Sequence, residues 1–126
     1  MATVTFTDQI TLSLTVRNRA ATSKWFQDHF GLEELFSNDE MGWTELSTMT
    51  PGVTLGFADA DEPSVGNCVP VFGVEDCDAA RAALEERDVR FDGETMHMPG
   101  MAKLATFYDP DGNAFMIAQD LTRHPD

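Results

Sequence analysis

The chain runs twice through the same series of patterns. The first pass opens on "ITLSLTV" (10–16), where Ile10, Leu12, Leu14 and Val16 alternate with Thr11, Ser13 and Thr15. That period of two marks a strand with one buried face. "RNRAATSKWFQDHFGL" follows, with Trp25, Phe26, His29 and Phe30 at helical spacing and Gly31 where a helix-ending glycine belongs. Strand candidates at 33–36, 42–47 and 53–57 complete the pass, and "TPG" turns the chain between the last two. The second pass has a strand at "CVPVFGV" (68–74) and a helix at "EDCDAARAALEERDV", with Ala80, Ala83 and Leu84 inward. Its strand candidates lie at 90–91 with neighbours, 103–108 and 114–118, and "PDG" stands for "TPG". Setting Gly52 on Gly112 brings Leu55 onto Phe115, Gly56 onto Met116 and Phe57 onto Ile117; Thr11 likewise falls on Val69.

A duplicated βαβββ unit is the economical account. Neither copy closes a cavity alone, so the pair is expected to form one cupped mixed sheet with the helices outside, an α+β fold. The predicted organisation is a single domain over 1–126, with module one at 8–58, a polar linker at 59–66 broken by Pro63 and Gly66, and module two at 67–121. The clearest local signal is "FYDPDGNAFMIAQD" (107–120). Pro110 fixes φ, Gly112 supplies a positive φ, and the Asp and Asn side chains bond back to the backbone, which predicts a hairpin.

Composition narrows the partners. There are 22 acidic and 8 basic side chains, a formal net charge of −14. A field of that sign repels phosphate backbones and anionic lipid, so neither nucleic acid nor a membrane surface is an expected partner. No apolar run approaches the roughly 18 residues that span a bilayer. The N-terminus lacks the basic start and apolar core of a signal peptide, so the expected compartment is the cytoplasm. Cys68 and Cys77 make no disulfide framework and are expected as thiols.

These patterns resemble the vicinal oxygen chelate superfamily, which includes glyoxalase I, bleomycin-resistance proteins, fosfomycin-resistance enzymes and extradiol dioxygenases. The resemblance covers about residues 8–121 and is carried by "ITLSLTV", "WFQDHFGLEELF", "VFGVEDCDAARAALEERDV" and, most specifically, "ATFYDPDGNAFMIAQ". It implies paired modules cupped around a cavity and, for short members, a homodimer. The metal enzymes resembling this chain hold a divalent ion with His or Gln from each module's first strand and Glu from each last strand. The matching positions here are Thr11, Val69, Gly56 (Thr54 if the register slips by two) and Met116. Val and Gly side chains bind no metal, and a thioether suits soft Cu(I) rather than Zn, Ni, Mn or Fe(II). The expectation is therefore no metal site and no cofactor.

If Thr11, Gly56, Val69 and Met116 face inward, alternation nominates Ser13, Val71, Ala105 and Phe107 beside them, with Trp43, Glu45 and Ser47 from "GWTELS". Met98 and Met101 of "TMHMPGM" (95–101) are expected at the rim or lid. Tyr108 points to the opposite side from Phe107, and which of the two lines the cavity is open. Trp25, Phe26, Phe30, Leu32 and Phe36 are expected in the core. An aromatic, apolar wall with a few hydroxyls suits a small hydrophobic or aromatic molecule. Two readings follow. One is a metal-free dimer that captures a hydrophobic or cationic aromatic molecule by sequestration, as the resemblance to bleomycin-resistance proteins implies, the acidic surface supporting a cationic ligand. The other is a lyase- or isomerase-like enzyme in which Glu45, its charged form disfavoured by an apolar cup, moves protons with His97 or Tyr108.

Overall fold

A computed structural model describes residues 4–110 and 112–122. The elements run β1 (Phe6–Val16), α1 (Arg19–Phe30), β2 (Glu33–Asn38), β3 (Trp43–Ser47), β4 (Val53–Asp59), β5 (Val69–Val74), α2 (Cys77–Glu85), β6 (Arg90–Met98), β7 (Ala102–Tyr108) and β8 (Ala114–Asp120). This is the expected α+β class, with βαβββ occurring twice. Two compact units are present, and they do not follow chain order. One holds residues 10–70; the other joins residues 4–9 to residues 71–122.

In the unit of residues 10–70 the strands lie in the order β2-β3-β4-β1. β4 pairs parallel with β1 and antiparallel with β3, so the sheet is mixed. α1 starts at the Asn18 cap, whose side chain accepts from Ala21 N, and ends at Gly31 in the left-handed region (φ 70). It packs on the face that carries Thr44, Leu46 and Phe57, all at most 2% exposed. Phe26 stacks on Phe57 at 5.6 Å.

The rest of the aromatic stripe corrects the core expectation. Trp25, Phe30 and Phe36 are 49%, 63% and 47% exposed. Polar residues dock the first turns of α1 instead. Arg19 donates to Asp59, Ser37, Thr44 and Asp39, and buried Ser23 accepts from Gln27. The sheet beneath the helix start carries Ser37 and Thr44, so polar side chains dock there, and Phe26 meets Phe57 further along.

In the other unit the order is β5-β8-β7-β6, with β8 parallel to β5 and antiparallel to β7. α2 starts at the Asp76 cap and buries Cys77 and Ala80 against Val74, Ala105 and Ile117. On the same face Phe6, Phe72, Phe115, Phe107 and Phe91 form a row of rings with neighbouring centroids 5.6–6.4 Å apart. Cross-strand aromatic pairs of this kind fix the register. Asp109 closes the hairpin between β7 and β8 by accepting from Asn113 N at 2.9 Å, and Gly112 has φ 88. Asp111 lies outside the described residues.

β6 is longer than expected. A bulge between Asp92 and Met96, with Gly93 at φ 58, breaks its alternation. Met96, His97 and Met98 are therefore strand residues rather than a lid, and Met101 sits in the turn that follows.

Candidate ligand-binding face

Strand register sorts the expected site residues. In the unit of residues 10–70, Thr11 pairs with Thr54 and Ser13 with Gly56; Glu45 pairs with Gly56, Ser47 with Thr54, and Phe36 with Glu45. Paired residues share a face. Thr44 and Leu46 point toward α1, so Thr11, Ser13, Phe36, Trp43, Glu45, Ser47, Thr54 and Gly56 occupy the face away from it. All the residues nominated in this unit from these strands are brought together, and Phe36, expected in the core, joins them.

The face is tightly bonded within itself. The hydroxyls of Thr11 and Thr54 share a hydrogen bond of 2.8 Å. Trp43 Nε1 donates to Glu45 Oε1 at 2.9 Å. The Trp43 ring lies against Gly56, where an added Cβ would fall 2.0 Å from Trp43 Cζ2. Ser47 Oγ is taken by the following turn, accepting from Met49 N at 3.2 Å. Glu45 Oε2 has no bonded partner among the described residues. No buried side-chain oxygen there lacks one, so this oxygen reaches solvent. The basic residues of the unit are committed elsewhere: Arg17 to Asp61 O, Lys24 to Asp28, and Arg19 to its cluster on the α1 side. Asp39 and Asp59 hold the Arg19 guanidinium above its usual pKa, the Asp39 hydrogen bond most of all.

That Arg19 cluster adjoins a cavity of about 260 Å³ lined by Ser23, Gln27, Ser37, Thr44, Asp39 and Asp59 among others. It lies on the α1 side of the sheet. Its guanidinium, carboxylates and hydroxyls bond one another and tie the start of α1 to the sheet.

In the other unit Val71 pairs with Met116, and Met116 with Thr106. Leu104, Thr106, Tyr108, Met96 and Met98 share that face, and Val69 has the same alternation as Val71. Three expected residues do not. Ala105 and Phe107 pair with Ile117 and Phe115 on the α2 side, and His97 pairs with Lys103, which binds Asp78 of α2. The cause is a single residue. Residues 48–53 separate Ser47 from its partner Thr54, whereas residues 109–113 separate Tyr108 from Ala114. Carrying Glu45 and Ser47 forward by the spacing of Gly56 to Met116 lands one position short, and a slip of one residue exchanges the faces of a strand. Comparing the two turn lengths exposes this signal in the sequence. Tyr108 is thereby placed with Met116. Its hydroxyl donates to Asp92, which raises its pKa, and Arg90 lies 5.5 Å from the ring centroid.

The positions matching the metal ligands do not fit a hard divalent ion. Thr11 and Thr54 are bonded to each other, the Trp43 ring fills the flank of Gly56, Val69 has no donor, and Met116 offers a thioether. Among the described residues no three His, Cys, Asp or Glu side chains gather as a metal site.

Comparison with known proteins agrees with this architecture. The sequence model of the glyoxalase/bleomycin resistance protein/dioxygenase superfamily matches residues 7–117. No curated protein matches at significance. Among solved structures, methylmalonyl-CoA epimerase from Mycobacterium tuberculosis is similar at TM-score 0.72 and 16% identity, over 95% of this chain and 93% of that one. A Streptomyces coelicolor methylmalonyl-CoA epimerase (Q60A), in complex with 2-nitronate-propionyl-CoA, is similar at 0.64 and 15%, over 95% and 99%. A glyoxalase/bleomycin resistance protein/dioxygenase superfamily member from Vibrio splendidus 12B01 is similar at 0.63 and 17%, over 89% and 98%. At these identities the likeness concerns the fold.

Proposed function

The chain belongs to the glyoxalase/bleomycin resistance protein/dioxygenase superfamily, and from that premise we propose that it is a metal-free member that binds and sequesters a small hydrophobic or aromatic molecule. The observation that carries this reading is the packing of Trp43 on Gly56, which puts an aromatic ring at a position where metal enzymes of similar fold carry a ligand. Beside it stand hydroxyls and one carboxylate, a lining suited to orienting an apolar body by a few polar groups. The apolar side chains Val71, Leu104, Met96 and Met116 of the other unit support the same ligand class. The reading extends to a homodimer. Trp25, Phe30 and Leu35 are each about half exposed or more on α1 and β2, and large apolar side chains left in water favour association.

A thermal-shift panel of aromatic metabolites and antibiotics tests the binding reading. A ligand that binds only the folded state raises the midpoint. Elemental analysis of the purified protein tests the metal-free reading; one equivalent of Zn, Ni, Mn or Fe per chain overturns it.

A second reading, a lyase- or isomerase-like catalyst, is favoured by one observation: Glu45 keeps Oε2 open to solvent while Trp43 fixes Oε1. A carboxylate so oriented suits proton transfer. His97, on the α2 side of its own sheet, is not supported as its partner. Loss of turnover with intact affinity in Glu45→Gln, measured on a bound hit, would establish this reading over sequestration.

A further inference from the structure

We infer that the cavity beneath the first turns of α1 is a separate binding site, built for a small uncharged polyol of monosaccharide size. It lies on the α1 side of the sheet, away from Trp43 and Glu45, and does not depend on the reading above.

The cavity holds about 260 Å³, just under the range that encloses drug-sized ligands. Its inner wall is polar and buried: Ser23 and Thr44 are each 2% exposed, and the Arg19 side chain 12%. Polar groups so placed ordinarily use their hydrogen-bonding capacity. Here several keep a part of it. Arg19 commits every guanidinium N–H but one, on Asp59, Ser37, Thr44 and Asp39; the one left is on Nη2. Ser37 and Thr44 share a single hydrogen bond between their hydroxyls, so one of those protons is also left. Ser23 Oγ accepts from Gln27, and its own proton has no acceptor among the described residues. Gln27 Oε1 and the Glu34 carboxylate take no proton from any described residue.

The spare groups are sorted by depth. The buried end offers N–H and O–H from Arg19, Ser23 and the Ser37–Thr44 pair. The mouth offers oxygens, from exposed Glu34 and Asp39 and from Gln27. Charge then removes the ions. Glu34, Asp39 and Asp59 surround a single guanidinium, so an anion is repelled. A cation meets that guanidinium at the buried end, and at the mouth its pairing with exposed carboxylates is worth little. An apolar body takes the inner donors out of water and gives them nothing in return. Each hydroxyl of a polyol both donates and accepts, which serves the two ends at once.

The test titrates the full chain with glucose and galactose, each beside its amino-sugar and uronic-acid form, by ligand-detected saturation-transfer NMR. At least one of the two neutral sugars is expected to bind with a Kd on the order of 1 mM or tighter, and both charged forms of that sugar more weakly. Ser23→Ala, which removes a buried hydroxyl, is expected to weaken it about tenfold. Ala20→Leu, which puts a larger side chain on the cavity wall, is expected to abolish binding, while Ala21→Leu, the next position and outside the lining, leaves it unchanged. Both alanines are exposed helix positions where leucine is well accepted, and circular dichroism confirms that the variants fold. Failure of both neutral sugars to bind overturns the inference. So does a charged form that binds as tightly as its parent, or equal losses in Ala20→Leu and Ala21→Leu. The ranking of the sugars on the wild-type chain decides the matter even if a variant fails to fold.

Discussion

The ring of Trp43 occupies the space where a side chain on Gly56 would begin, two strands joined by the absence of one carbon. Alanine in a strand normally outperforms glycine. Here the sign reverses. Gly56→Ala must push the indole off the sheet, and forced repacking of this kind costs about 1–3 kcal/mol. The expected result is a lowered thermal midpoint with a red-shifted Trp emission; an unchanged spectrum would refute the contact.

Thr11 and Thr54 satisfy each other across β1 and β4 at 2.8 Å, and Thr54 is 9% exposed. Removing one hydroxyl strands its partner, so Thr11→Val is expected to cost on the order of 1 kcal/mol. The double variant Thr11→Val/Thr54→Val removes both groups and is expected to recover much of that loss. A denaturant-melt double-mutant cycle measures the coupling.

The two cysteines should behave oppositely. Cys68 is exposed and Cys77 is fully buried. Native protein is expected to take one alkylating group rapidly, on Cys68, as peptide mapping would reveal. Burial pushes the Cys77 thiol from 9.0 up to about 11, with Asp78 adding to the shift. Between those values the unfolded chain has lost a proton that the native chain retains. Stability is therefore complete below about pH 9 and falls as pH rises to about 11, by on the order of 2 kcal/mol. Cys77→Ala is expected to flatten this alkaline limb in melts across the range.

Arg19 ties the start of α1 to Ser37, Asp39, Thr44 and Asp59. Arg19→Met leaves buried Thr44 and its carboxylate neighbours without that cation. Its midpoint is expected to fall further than that of Lys24→Met, which breaks the single exposed ion pair with Asp28. Equal effects would show that the cluster is decorative.

The proposed homodimer predicts that Trp25→Glu, on the exposed side of α1, lowers the mass seen by light scattering toward 13.9 kDa while the circular dichroism of the fold persists. A wild-type mass already at that value removes the dimer.

Element order, the turn at Gly112 and the cap at Gly31 were legible in the sequence because each has a local cause: alternation, a positive φ, a cap. So were Thr11, Ser13, Glu45 and Gly56 as one face, since regular pairing preserves parity across β1, β4 and β3. Legibility failed where a distant or unmarked event decides. The shorter turn before β8 inverted Ala105 and Phe107. The bulge at Gly93 hid β6 and with it the place of His97. The aromatic stripe of α1 predicted burial, but burial depends on what lies opposite, and there the sheet is lined by Thr44 and Ser37. The seating of Trp43 on Gly56 joins positions that no periodicity links.

β1 is eleven residues long, and its two ends serve different masters. Ile10 to Val16 pair with β4, while Phe6 packs edge-on against Phe72 and Thr5 accepts from Glu75. The duplicated sequence suggests a seam near residue 70, yet a cut there would hand the second piece an incomplete sheet and leave the first with an overhang that has lost its mate. The second repeat thus borrows the opening of the first, and a fragment that starts at its own boundary begins without it.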